Sequence, residues 1–282
     1  SPTPSPTVTP TVTPAPTGVR VMTIPALLTA LADNRITDIV VADGTYRVSP
    51  AAAARSDSLL IDSRFAARTH PVVVRAETRG GVTFDGGGAG TFGGIMFNDG
   101  AHDQTWDGFR WTNGQPTDTG VIVFGGYAGL APPMRITLRH ITLSGLWAHN
   151  TLNDHALYFS FNAGSGHLIE DYLVDARTGS PYPLSSALQF YHSDAANPNV
   201  QGVTVRRMTV RGTVEAMKFY DATVTGVLIE DATITETVRL GLNYARGGAI
   251  TLRRVTSSGE AYSPYGAWPT FESSTFAGVS FQ

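Results

Sequence analysis

The sequence predicts an all-β solenoid, a single domain of short parallel strands coiled into stacked rungs behind one N-terminal helix. Three observations carry that expectation. One strand pattern recurs six times, starting at Gln104, Ile136, His167, Val203, Val227 and Ile250, with intervals of 32, 31, 36, 24 and 23 residues. A second strand follows each of the first five, starting at Val121, Leu157, Leu188, Met217 and Leu240. The 30 glycines among 282 residues supply the many turns such a coil requires. A 23- or 24-residue unit cannot bury its own apolar side, so units stack, with strands about 4.8 Å apart.

Taken in order, residues 1–17 hold six prolines, six threonines and no charge. Proline fixes φ and removes donors, so this stretch reads as an extended linker outside the core. Such tracts are associated with module junctions in secreted bacterial carbohydrate-active proteins. The chain opens inside this tract, so the reading expects other modules of a larger secreted protein. Residues 18–282 are then the solenoid domain. Ile24 to Leu31 has helical spacing, with Thr23 as N-cap and Pro25 in the first turn. Short strands about turns follow at 38–48, 71–75 and 81–86, and the repeat proper begins at Gln104. About seven or eight rungs are expected.

Composition narrows the function. Apolar residues make up 42% and charged residues 15%, which excludes a disordered chain and a coiled coil. A net charge of −3 without a basic patch argues against nucleic acid. No apolar run approaches the length of a membrane span. The chain has no cysteine, which removes disulfides, thiolate zinc sites and thiol nucleophiles.

Alternation along the second strand separates its two faces. With Leu188, Phe190, Met217 and Phe219 inward, one outward column reads Ile122, Tyr158, Gln189, Lys218, Gly241, and the next Phe124, Ser160, Tyr191, Tyr220, Asn243. Lys218 is the only lysine, against 19 arginines. Codon preference explains a scarcity of lysine; a need for an amine that can lose its proton explains one placed here. Arg239 lies one rung on, within reach of Lys218. Tyr191 and Tyr220 read as a stacking ladder or as a platform for sugar rings. Asp194 and Asp221, near His192, read as turn residues or as a hydrolase carboxylate pair. Segments 147–154, 177–186 and 194–200 flank this column as cleft walls. They carry Trp147, His149, Asn153 and Asp154, with His155 just beyond, for each of which surface polarity is the simpler account. Gly166-His167 opens a core strand and reads as structural.

The opening helix, the segment DIVVADGTYRV at 38–48 and PVVVRAETRGGVTFDGGG at 71–88 resemble the start of right-handed parallel β-helix proteins of the pectin-lyase-like superfamily. That resemblance implies a right-handed coil with a helix over its N-terminal end. The Lys218…Arg239 layout is similar to that of the chondroitinase B and alginate lyase family, where a lysine base is followed about one rung later by an arginine acid. It implies a secreted polysaccharide lyase acting on an acidic, uronate-containing polysaccharide by β-elimination. Lys218, Arg239 and Tyr220 would be catalytic; Gln189, Tyr191, His192, Asn243, Arg246 and Tyr158 would hold sugar. That family binds calcium through an Asn and two Glu. Here Glu215, Gln189 and Ser186 are at hand, so calcium stays open as a cofactor. Without it the neutralising charge falls to Arg239, Arg246 or Arg211. A non-catalytic glycan-binding module and a glycoside hydrolase remain the alternatives.

Overall fold

A computed structural model describes residues 18–48, 59–88, 94–116, 120–125, 130–148, 153–160, 162–177, 182–191, 200–220, 224–236, 250–261, 269–277 and 279–281. Residues 1–17, expected to be a linker, lie outside them. The chain is a right-handed parallel β-helix, as expected for parallel crossovers. Among the described residues a continuous sheet of 21 strands, bent along a corner, runs from Val19 to Phe281, and a separate sheet of six strands spans Leu59 to Tyr220.

The helix Ile24–Ala32 covers the N-terminal end. Thr23 Oγ1 accepts from the Ala26 N–H at 3.2 Å, and Leu27, Ala30 and Leu31 are buried. A buried arginine ties down the end of the helix and the turn after it: Arg68 donates to Leu31 O in the last turn and to Ile36 O beyond it, both at 2.6 Å. At the far end Val279–Phe281 pairs antiparallel with Ser274–Phe276.

The register of the first strand is the one the repeat predicts. Gln104 pairs with Ile136, and Val227 with Ile250. Ten strands stack at this position among the described residues, two more than the upper expectation, because the outermost rungs lack the repeated pattern. Inside, Phe97, Phe124, Phe159, Phe190 and Phe219 form one ladder. Ring centroids are 5.2, 4.8, 4.7 and 4.7 Å apart, and the last two pairs are within 2° of parallel. Leu157, Leu188 and Met217 stack beside them as predicted.

Outside, the large sheet carries an ordered charge column. Arg75, Asp107, Arg139, Glu170, Arg206, Glu230, Arg253 and Glu272 are register partners in succession, so the sign alternates at every rung. The next residue in most rungs turns the corner in left-handed backbone: His140, Asp171, Arg207, Asp231 and Arg254 have φ between 51° and 55°. These corner residues join the ladder. Arg207 reaches Asp171 at 2.7 Å and Glu170 at 2.8 Å, and Arg254 reaches Asp231 at 2.6 Å. Isolated surface pairs contribute little, but a one-rung slip of this column would oppose like charges along its whole length.

His167 is structural, as its position suggested. It is 1% exposed; its Nε2–H donates to Ala163 O at 2.8 Å and its Nδ1 accepts from the Ile136 N–H at 3.3 Å. Both nitrogens are used by the neutral ring, and burial holds its pKa down to about 4.

Two tests follow from this scaffold. Arg206→Glu places three acidic groups in succession and should lower stability by about 1–2 kcal/mol, partly restored by high salt, with Arg206→Gln costing less; thermal melts at two ionic strengths measure this. The depressed His167 pKa contributes stability that is complete above the unfolded value of 6.5 and is lost as pH falls towards about 4. The loss is roughly 3 kcal/mol, and denaturant titrations of His167→Gln should show a flatter acid limb.

Candidate functional site

The six-stranded sheet positions the candidate site. Its last three described strands are His155–Phe159, Ser186–Tyr191 and Glu215–Tyr220. Tyr158, Gln189 and Lys218 are register partners in one column, and Tyr191 pairs with Tyr220 in another. Met217 and Phe219 are fully buried core residues, so Lys218 between them points outward, as the alternation requires.

The rung before departs from the expected alignment. Leu157 pairs with Ile122 and Tyr158 with Val123, so Ile122 and Phe124 face the core and Val123 takes the outward place. Every side chain in Gly120–Phe124 is buried and apolar, so period-2 contrast gave no register there.

Alternation also breaks within each of the three strands. Ala156 and Leu157 both belong to the core, as do Ala187 and Leu188, and Ala216 and Met217. His155, Ser186 and Glu215, themselves register partners, therefore lie on the outer side with Tyr158, Gln189 and Lys218. The rings agree: His155 stacks on Tyr158 at 5.5 Å and 8°. Gly120 precedes them in the same column, where a Cβ would come within 2.5 Å of the Tyr158 Cβ.

This outer face is largely covered. His155 is 2% exposed, Gln189 3% and Tyr158 7%, whereas Lys218 and Tyr191 are half-buried and reach solvent. His155 Nδ1 lies 2.8 Å from Ser186 Oγ, which is fully buried. Burial, and secondarily the charge of Lys218, hold the His155 imidazole well below its ordinary pKa, so it is neutral. Burial, and then Tyr191, push the Tyr158 hydroxyl up, against the pull of Ser160. Tyr191 stacks on Tyr158 at 6.0 Å and 28°. The Gln189 Oε1 is buried without a hydrogen-bond partner. The face thus joins one primary amine to phenol, amide and neutral imidazole groups and to the buried Glu215 carboxyl, a set suited to moving a proton on a polar substrate.

Of the predicted site residues, the structure brings together Lys218, Gln189, Tyr191 and Tyr158. Tyr220 is beside Tyr191 by backbone register, its side chain outside what is described. Arg239, Asn243, Arg246, His192, Asp194, Asp221 and His149 lie outside the described residues. Arg211 is corrected: its register partners are Asp175 and Thr235 on the large sheet, round the corner at Gly212. His155 and Asp154 are also corrected, since both are buried and neither is surface polarity. The missed signal was their offset: His155, Ser186 and Glu215 each stand three residues before an outward-column member.

The calcium centre implied by the resemblance does not fit the donors described. Among the described residues Glu215 is the one carboxylate in its register column, beside Ser186 and His155, and no group of three His, Asp or Glu poised for a metal occurs.

No family model matches the chain, and no curated protein matches it. Among solved structures it is similar to the PL6 family polysaccharide lyase Pedsa3628 from Pseudopedobacter saltans. The identity is 13% and the TM-score 0.44, over 85% of this chain and 63% of that one. It is similar to the PL6 family alginate lyase AlyGC at 12% identity and TM-score 0.36, over 90% of this chain and 40% of that one. An alginate lyase from Paenibacillus sp. str. FPU-7 matches at 12% identity and TM-score 0.29, over 92% and 99% of the two chains. The chain thus spans less than two thirds of the two PL6 structures.

The two tyrosines should differ in a stability assay. Tyr158→Ala should cost about 3 kcal/mol, as for a buried aromatic, and Tyr191→Ala about 1 kcal/mol or less; chemical denaturation of both variants makes the comparison.

Proposed function

We propose that the chain is a secreted, carbohydrate-active protein that cleaves an acidic, uronate-containing polysaccharide by β-elimination at this outer face, with Lys218 as base. The observation that carries the reading is Lys218 itself, the chain's only lysine, turned outward and reaching solvent beside buried neutral polar groups. Arginine could not serve there, since a guanidinium does not give up its proton.

In the step, the Lys218 amine takes the proton on the carbon beside the uronate carboxylate. The electron pair forms the new carbon–carbon double bond as the glycosidic carbon–oxygen bond breaks. The departing oxygen is protonated by the Tyr220 phenol. Charge developing on the carboxylate must be stabilised, a task assigned to Arg239 and Arg246. Tyr191, Asn243 and His192 hold sugar, over a floor made by Gln189 and Tyr158. The linker 1–17 joins this domain to other modules. No helix among the described residues is long and apolar enough to cross a membrane.

The stacked Tyr158 and Tyr191 rings favour a second reading, a glycan-binding module without turnover. Incubation with a panel of uronate polysaccharides, with and without calcium, separates the two. Lysis gives an unsaturated uronate that absorbs in the ultraviolet. Lys218→Ala should lower that signal by about 10²–10⁴-fold while the protein stays folded. A folded variant that cleaves at the wild-type rate removes the proposal, and binding without product from the wild type transfers it to the second reading.

A further inference from the structure

Three rings form a pillar across the outer face. The buried His155 stacks on the buried Tyr158 at 5.5 Å and 8°, and Tyr158 stacks on the half-exposed Tyr191 at 6.0 Å and 28°. The inner end is tied down by Ser186 Oγ, 2.8 Å from His155 Nδ1 and itself fully buried. The outer end, Tyr191, stands two residues beyond Gln189, the register partner of Lys218. By sheet spacing that places Tyr191 and Lys218 about 8 Å apart on one side of adjacent strands.

The arrangement is more specific than core packing requires. His155, Tyr158 and Ser186 lie outside the apolar core, which the alternation break leaves to Ala156, Leu157, Ala187 and Leu188. A polar ring removed from water and joined to a buried hydroxyl costs desolvation unless the bond is kept, so the pair is sensitive to either partner. A phenol ring free to rotate would lose more entropy on holding a sugar than one already fixed by a stacked neighbour.

We propose that His155 is a positioning residue of this site: held by Ser186, it fixes Tyr158 and through it orients Tyr191 as the wall against which a uronate oligosaccharide lies beside Lys218. The inference rests on the proposed function for the identity of the sugar. His155 itself need not touch substrate.

The experiment measures binding and turnover separately in the whole chain. Binding of a uronate oligosaccharide is followed by calorimetry in the Lys218→Ala background, where no cleavage interferes; turnover is followed by unsaturated product with Lys218 present. His155→Ala should weaken binding about tenfold and raise KM about as much, with kcat changed less than threefold. His155→Phe combined with Ser186→Ala keeps the stacked ring and leaves no buried hydroxyl orphaned. It should restore affinity to within about threefold of the parent. If His155→Ala folds and binds as the parent does, or if the double variant binds as poorly as His155→Ala, the positioning role is wrong. If the wild type binds but yields no unsaturated product while the binding pattern holds, the lyase reading fails and the pillar stands. Should no uronate oligosaccharide bind the parent, both fall.

Discussion

Stacking in register governs this molecule. Each rung sets a given position about 4.8 Å above the same position of the rung before, so every column of side chains must tolerate its own repetition. Flat apolar groups tolerate it well, and the five-phenylalanine ladder becomes more nearly parallel along its length. Charges do not, and the outer column from Arg75 to Glu272 meets the constraint by alternating sign. Corners meet it with residues that accept left-handed backbone in successive rungs, several of which add to the same ion pairs.

The same constraint shapes the candidate site. Where two successive residues turn inward, the strand presents paired outward positions three residues apart, and stacking multiplies them into a patch of six: His155, Tyr158, Ser186, Gln189, Glu215 and Lys218. Opposite charges run down one outer column of the large sheet, while the described patch on the six-stranded sheet is largely buried and has Glu215 and Lys218 as its ionisable acid and amine. An amine at the rim of this largely buried face stands beside neighbours held in place by packing, which is where proton-transfer chemistry gains most.

Legibility differed between the two strands for a physical reason. The first strand alternates apolar and charged residues at every rung, so Gln104, Ile136, His167, Val203, Val227 and Ile250 could be aligned from the sequence. In the second strand the segment from Val121 to Phe124 is apolar throughout, and a slip of one residue leaves its pattern unchanged. The alternating RH, ED, RR, ED, RR pairs from Arg139 to Arg254 stood in the sequence as well, but their meaning depends on which pair lies over which.

By itself the sequence determined the coil, the capping helix, the inward Leu/Met and Phe columns and the outward direction of Lys218, because periodicity in an elongated repeat maps directly onto space. Tertiary structure alone decided what Lys218 stands beside. His155 comes from one rung, Ser186 and Tyr191 from the next and Lys218 from a third, and their meeting depends on inserted segments of unequal length and on a break in alternation. Residue spacing sets which face a side chain takes; only the stacked chain sets which rungs share it.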